Sequence, residues 1–98
     1  MTRFKVAVLP DAEAELREAF LWYFDKSPLA ADAFGTEVED AIDGLEGTAA
    51  DWPKDDDGVH FYHLKHFPYT LRYEIVRNKV TVLAVAHQRR APGYWERR

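Results

Sequence analysis

The feature that most constrains the fold is the run at residues 80–86 (VTVLAVA), in which six of seven residues are apolar. A strand without polar alternation is typical of a position that is covered on both faces. We therefore expect this strand to lie inside a sheet. The preceding segment, Tyr69–Val76, alternates apolar and polar residues, which predicts a neighbouring strand. A tight turn at 77–79 joins the two, with Asn78 as the residue that tolerates a positive φ.

The N-terminal half predicts one strand and two helices. Residues 3–9 alternate like a strand, and residues 10–26 follow as a helix that begins with proline, whose missing N–H would be unpaired there anyway. Ser27 and Pro28 supply the N-cap and the first position of a second helix, which Gly47 is expected to end. Helices joined by so short a link are expected to pack as an antiparallel hairpin.

Residues 60–66 predict the first of three C-terminal strands, after a polar loop that contains Pro53. The order is thus strand, helix, helix and three strands. We predict an α+β fold over a single domain, residues 1–98. The helices cover one face of a three-stranded antiparallel sheet, and the first strand joins that sheet beside a later strand.

Composition excludes several classes of function. The chain has no cysteine, so it has no disulfide, thiolate metal site or cysteine nucleophile. No apolar run approaches the roughly 18 residues that span a bilayer. The N-terminus lacks the pattern of a signal peptide, and we expect a cytoplasmic protein.

The net charge of −4 is unevenly divided. Residues 1–58 carry five Lys/Arg against fifteen Asp/Glu, whereas residues 59–98 carry eight against two, together with all four histidines. This division predicts a basic working surface from the C-terminal part. The alternative is that acidic residues simply suit the helices, and basic residues suit the strands and the tail.

Neither a cofactor nor a metal ion is expected. The sequence has no phosphate loop, dinucleotide fingerprint, nucleophile elbow or spaced zinc-ligand set. The consecutive aspartates 55–57 lack the spacing of a calcium loop. His60, His63 and His66 alternate between the faces of one predicted strand, so they cannot share an ion.

His87 differs from the other histidines because it ends the most buried strand. It can act as an acid or base near neutral pH, or its ring can hydrogen-bond the backbone and order the following segment.

Basic and aromatic residues are concentrated in the same C-terminal region. The candidate phosphate contacts are Arg72, Arg89, Arg90, Arg97 and Arg98, and the candidate stacking residues are Tyr94 and Trp95. The same set suits docking of an acidic protein partner. For Arg72 a cross-strand ion pair is an equal alternative. In the aromatic run 22–24, at least one residue must be exposed, and Trp22 is a candidate partner contact. An equal alternative is that Trp22 lies over the edge of the sheet.

These residues resemble the RelE/ParE superfamily of type II toxin–antitoxin proteins, which includes ParE-like plasmid stabilisation proteins. The resemblance covers nearly the whole chain and includes Trp22-Tyr23 near the end of the first helix. Its most specific elements, in order, are Phe67-Pro68-Tyr69, Arg72-Tyr73-Glu74, the strand 80–86, His87, Arg89-Arg90, Pro92, Tyr94-Trp95 and Arg98.

The resemblance implies a growth-inhibiting toxin that forms a hetero-oligomer with a cognate antitoxin, whose C-terminal segment wraps it. ParE-like members inhibit DNA gyrase without nuclease chemistry, whereas RelE-like members cleave mRNA on the ribosome. A third alternative is a degenerate toxin that only binds its antitoxin.

The cleaving members use lysines and arginines on the central strands and a terminal tyrosine. Aligning that pattern with this chain leaves most of the cationic set missing: Phe61 and His63 replace two lysines, Thr70 and Gln88 replace two arginines, and only Tyr94 matches. Because a phosphorane requires cationic stabilisation, the sequence favours a gyrase inhibitor over an enzyme. If the chain is a nuclease, the predicted catalytic residues are His87, Arg72, Arg89 and Tyr94. The predicted partner surface is Arg89, Arg90, Tyr94, Trp95, Arg97, Arg98 and Trp22.

Overall fold

The computed structural model describes residues 3–89 and 93–98. It has the predicted order of one strand, two helices and three strands, with two short 3₁₀ turns. The elements are β1 (Lys5–Val8), α1 (Pro10–Lys26), α2 (Pro28–Thr48), a 3₁₀ turn (Ala49–Asp51), β2 (His60–His63), β3 (Tyr69–Val76), β4 (Lys79–His87) and a second 3₁₀ turn (Tyr94–Arg97).

The four strands form one mixed sheet in the order β1-β4-β3-β2. Strands β2, β3 and β4 are antiparallel, and β1 lies parallel to β4 at the far side. The predicted fold is therefore confirmed, including the interior position of the apolar strand. Within the described residues, no helix is both long and apolar enough to cross a membrane.

The helix boundaries follow local chemistry closely. Ser27 ends α1 and begins α2, and its side-chain oxygen accepts a hydrogen bond from the backbone N–H of Ala30 (3.3 Å). Gly47 was expected to end α2, but that prediction is wrong, because the helix continues through Thr48. Positive φ angles among the glycines occur at Gly58 and Gly93, so Gly47 does not form a left-handed cap.

Two predicted details of the C-terminal strands are also wrong. The positive φ of the β3–β4 turn (57°) belongs to Arg77, the first central residue, and not to Asn78. Strand β2 ends at His63 because the backbone N–H groups of Lys65 and His66 bond the carboxylate of Glu37 on α2 instead of a neighbouring strand. The backbone N–H of Leu64 still bonds the carbonyl of Tyr69 (2.9 Å), which closes the β2–β3 connection.

A hydrophobic core fills the space between the helical hairpin and the sheet. Its fully buried members come from both layers: Ala12, Phe34, Val38, Leu45, Ala49, Leu71, Tyr73, Val80 and Val82. Tyr73 is the largest of them, and its hydroxyl donates a hydrogen bond to the carbonyl of Ala49 (2.6 Å). Burial raises the pKa of Tyr73, so the hydroxyl stays neutral and remains a donor.

A β-bulge decides which side chains reach each face of the sheet. Arg72 lies opposite Ala84 and Tyr73 lies opposite Val82, so Leu83 is the extra residue in β4. Before the bulge, Val82 faces the helices, whereas after it Val85 does. The shift by one residue places His87 on the helix side, beside its cross-strand partner Tyr69.

Replacement of Tyr73 by phenylalanine should lower the free energy of unfolding by about 1–3 kcal/mol, because the buried carbonyl of Ala49 loses its donor. Urea denaturation monitored by circular dichroism measures the change. The matched control is Tyr62→Phe, since the half-buried Tyr62 hydroxyl makes no hydrogen bond within the described residues. Equal losses in the two variants would contradict the role assigned to the Tyr73 hydroxyl.

Candidate functional site

A cleft of about 320 Å³ opens on the face of the sheet opposite the helices, where β2, β3 and β4 run side by side. Its polar and aromatic lining comprises His63, Thr70, Arg72, Gln88 and Trp95. His87 borders the cleft at the end of β4, although its ring lies against Tyr69 on the helix side. The cleft brings together three of the positions that the family resemblance aligns with cationic residues, namely His63, Thr70 and Gln88. None of these three carries a permanent charge.

Arg72 is the permanently charged residue among those that line the cleft, and its guanidinium is heavily contacted. It lies over the rings of Phe61 (5.1 Å) and Trp95 (4.7 Å), measured to the ring centroids. The carboxylate of Asp55 lies 3.9 Å from Nη1, and the side chain is only 20% exposed. Of the sequence interpretations of Arg72, the ion pair is therefore closest to the structure. The pair is not a cross-strand pair, because Asp55 lies in a loop and the residue opposite Arg72 on β2 is Phe61.

His87 lies at the end of β4, with its ring edge-on to Tyr69 at a centroid distance of 5.1 Å. Its Nδ1 accepts a hydrogen bond from the backbone N–H of Arg89 (3.1 Å). Because a backbone N–H can only donate, the neutral ring carries its proton on Nε2. The His87 ring therefore hydrogen-bonds the backbone, as one of the two sequence interpretations predicted.

The other three histidines lie in separate environments. His60 stacks on the ring of Tyr73 on the helix side of the sheet, whereas Nδ1 of His63 lies 2.6 Å from the hydroxyl of Thr70 on the opposite side. His66 lies beyond the strand, with Nδ1 2.7 Å from a carboxylate oxygen of Glu37. Among residues 3–89 and 93–98, no group of three metal-ligating side chains comes together.

The 3₁₀ turn at Tyr94–Arg97 folds back onto the outer face of the sheet. Trp95 packs there against Leu83, Ala84 and Ala86 and is only 5% exposed. The prediction that Trp95 is a surface anchor is therefore wrong, because its indole covers the second face of β4. The ring of Tyr94 lies edge-on to Trp95 at 5.2 Å and is half-buried.

Arg98 was a predicted phosphate contact, but its guanidinium is already bound within the chain. It forms two hydrogen bonds with Glu15 (2.9 and 3.1 Å), and its Nε lies 3.4 Å from Asp11. The hydrogen bonds that Arg98 donates to Glu15 are the main cause that raises the pKa of Arg98 above its ordinary value. No local pattern signals this pair, since 83 positions separate its members. Only the spacing of Asp11 and Glu15 along one helix face points to an acidic site.

The remaining predicted surface residues fall into two groups. Arg89 is exposed, and Trp22 is 57% exposed, with Nζ of Lys26 over its ring at 5.5 Å. The predictions for Arg90 and for the side chain of Arg97 lie outside the described residues. Sequence reasoning missed two further exposed apolar side chains on the helical hairpin, Leu21 (57%) and Leu29 (82%). Within the aromatic run 22–24, Phe24 is exposed (51%) in addition to Trp22.

Comparison with known proteins agrees with this architecture. The family model for the ParE toxin of the type II toxin–antitoxin system parDE matches residues 6–92. The chain belongs to the ParE toxin family. A solved structure described as the chromosomal ParDE TA system from P. aeruginosa has the same fold, with a TM-score of 0.77. The match covers 87% of this chain and 96% of that chain at 16% identity. No curated protein matches this chain in sequence.

In this ParE-family chain, Glu37 on α2 anchors the β2–β3 connection to the helical hairpin. Its carboxylate accepts hydrogen bonds from the backbone N–H groups of Lys65 and His66, in addition to its contact with the His66 ring. Burial raises the pKa of Glu37, but these hydrogen bonds outweigh it and hold the pKa below its ordinary value of 4.5. A carboxyl group whose pKa is lowered in the folded state stabilises that state at pH values above the pKa of the unfolded chain. This stabilisation is lost as the pH falls through the folded-state pKa.

Replacement of Glu37 by glutamine should therefore lower the free energy of unfolding by about 1–2 kcal/mol at pH 7. The difference from the unsubstituted protein should shrink as the pH falls below 4.5 and through the lowered pKa of Glu37, because the carboxylate becomes protonated in the folded state as well. Urea denaturation at a series of pH values measures this. The control is Glu39→Gln on the same helix, where the side chain is exposed. A loss of stability that does not change with pH below 4.5 would rule out the charge of Glu37 as its cause.

Proposed function

We propose that this chain is a ParE-like toxin that inhibits DNA gyrase in the cytoplasm and is neutralised by a cognate antitoxin in a hetero-oligomer. The family membership over residues 6–92 supports the toxin class. The antitoxin is proposed because the solved structure of the same fold is described as a ParDE toxin–antitoxin system.

The observation that carries the choice of gyrase over mRNA is the chemistry of the outer cleft. Cleavage by a ribose 2′-hydroxyl needs cations that stabilise the phosphorane, together with a base and an acid. In the described part of the cleft, the permanent cation is Arg72, which is packed between two rings and lies beside Asp55. Thr70 and His63 lie within hydrogen-bond distance of each other. The cleft therefore favours a toxin that binds its target without cutting RNA.

The proposed gyrase contacts lie where the chain leaves the sheet after β4. Exposed Arg89 and half-buried Tyr94 belong to this region, which continues the basic C-terminal sequence that includes Arg90 and Arg97. A positive surface attracts an acidic target and accelerates its association. The binding surface thus requires no catalytic residue.

The helical hairpin is the proposed contact for the antitoxin. It carries four exposed large apolar side chains, Leu21, Trp22, Phe24 and Leu29, on the acidic N-terminal half of the chain. Clusters of exposed apolar side chains with polar surroundings are typical of protein–protein contacts. A wrapping antitoxin segment would cover them.

Expression of the chain without its antitoxin should arrest growth, leave mRNA intact and accumulate gyrase–DNA cleavage complexes. Primer extension on reporter mRNA and recovery of gyrase-linked DNA measure the two outcomes in the same culture. His87→Ala and Tyr94→Phe should leave mRNA as intact as the unsubstituted chain does, because the proposal gives neither side chain a chemical step. Cuts in mRNA at codon positions that disappear in these variants would contradict the proposal and support a RelE-like endoribonuclease. Absence of growth arrest would support a chain that only binds an antitoxin.

Charge reversal at Arg89 tests the proposed contact surface. Arg89→Glu should weaken gyrase inhibition by about tenfold or more, since it places a like charge against an acidic target. Supercoiling assays over a range of toxin concentrations measure the loss. The matched control is Arg77→Glu, because Arg77 is an exposed arginine in the turn at the opposite end of β4. Equal losses in the two variants would indicate a general charge effect and contradict a localised contact surface.

A further inference from the structure

Strand β4 has an edge that its neighbour does not cover. Strand β1 pairs with β4 only from Lys79 to Val82, although β4 continues to His87. On the other side, β3 pairs with β4 along its whole length. The backbone of the second half of β4 therefore lacks a strand on the β1 side. Backbone N–H and C=O groups at such an edge require other partners or invite another chain.

Two side chains from distant parts of the sequence supply these partners. A carboxylate oxygen of Glu15, on α1, accepts a hydrogen bond from the backbone N–H of Val85 (3.0 Å). Nη1 of Arg98 donates to the backbone carbonyl of Leu83 (2.9 Å). One acceptor and one donor thus occupy places that a fifth strand would otherwise fill.

The same two side chains bind each other. Nη1 and Nη2 of Arg98 bond the two carboxylate oxygens of Glu15 at 2.9 and 3.1 Å, which is the two-bond geometry that makes arginine–carboxylate pairs strong. The side chain of Arg98 is 14% exposed and that of Glu15 is 11% exposed, so the pair is well shielded from water. Shielded pairs of this geometry are less weakened by solvent than surface pairs.

We infer that Glu15 is a positioning residue that holds the 93–98 segment on the sheet by binding Arg98 at the open edge of β4. Glu15 lies on the helix side, whereas Trp95 packs on the opposite face, so the pair joins α1 to the segment around the edge of the sheet. Trp95 holds the segment by apolar contact with the sheet. The Glu15–Arg98 pair sets the orientation of the segment, since its two hydrogen bonds have a fixed geometry. The consequence for activity rests on the proposed function, in which the chain after β4 contacts gyrase.

Hydrogen exchange tests the positioning role directly. Glu15→Gln removes the charge but keeps the length and an oxygen that can accept from Val85. Amide exchange at Glu96 and Arg98, whose N–H groups bond within the 93–98 segment, should accelerate by about tenfold, which corresponds to about 1.4 kcal/mol. Exchange in β3 should be unchanged. The matched control is Glu18→Gln, which alters an exposed carboxylate on the same helix and should leave the segment as it is.

A double-mutant cycle shows whether Glu15 acts through Arg98. Arg98→Met should accelerate the same amides, and adding Glu15→Gln to it should produce little further change, because the interaction is already absent. Arg98→Lys should give an intermediate effect, since it keeps the charge and loses the two-bond geometry. Unchanged exchange in Glu15→Gln, or additive effects in the double variant, would overturn the inference.

Gyrase inhibition separates this inference from the proposed function. Glu15→Gln should weaken gyrase inhibition by about tenfold, in parallel with the faster exchange of the Glu96 and Arg98 amides. Glu18→Gln should leave inhibition unchanged. Faster exchange with full inhibition supports the positioning role and contradicts only the assignment of the 93–98 segment to the target surface. Slow, unchanged exchange overturns the positioning role whatever the level of inhibition.

Discussion

Burial of β4 on both faces is the constraint on which the rest of the structure depends. The helical hairpin covers Val80, Val82 and Val85, while Trp95 covers the other face after the bulge. A strand this apolar must be covered on both faces, because an apolar side chain left in water does not contribute the stabilising free energy of burial. The hairpin therefore packs on one side, and the chain must return after β4 to close the other.

The return of the chain explains how the basic residues are used. Two of the predicted phosphate contacts are engaged in holding the returning segment: Arg72 lies over the ring of Trp95, and Arg98 binds Glu15 at the sheet edge. A guanidinium that is stacked or doubly hydrogen-bonded is a poor free cation for a transition state, since moving it breaks existing contacts. The same residues that resemble a phosphate site in the sequence thus stabilise the fold, which is the observation behind the proposal of a toxin that binds its target without cutting RNA.

Much of the fold and part of the site could be predicted from local patterns. The helix junction at Ser27 and Pro28, the strand Tyr69–Val76 and the interior position of β4 follow from capping, alternation and apolar character. The family resemblance is confirmed by the match over residues 6–92, and the gyrase target stays a prediction. The errors at Gly47 and Asn78 are single-residue choices among conformations that differ by little free energy.

The sequence by itself thus determined the order of the elements and the family, because both depend on residues close together in the chain. Only the tertiary structure decided that Trp95 is buried, that His87 turns to the helix side and that Glu15 meets Arg98. A one-residue bulge reverses which face a side chain occupies, and no local pattern encodes it. The edge left open by the short strand β1 likewise exists only once the strands are paired, so the residues that fill it could not be found before then.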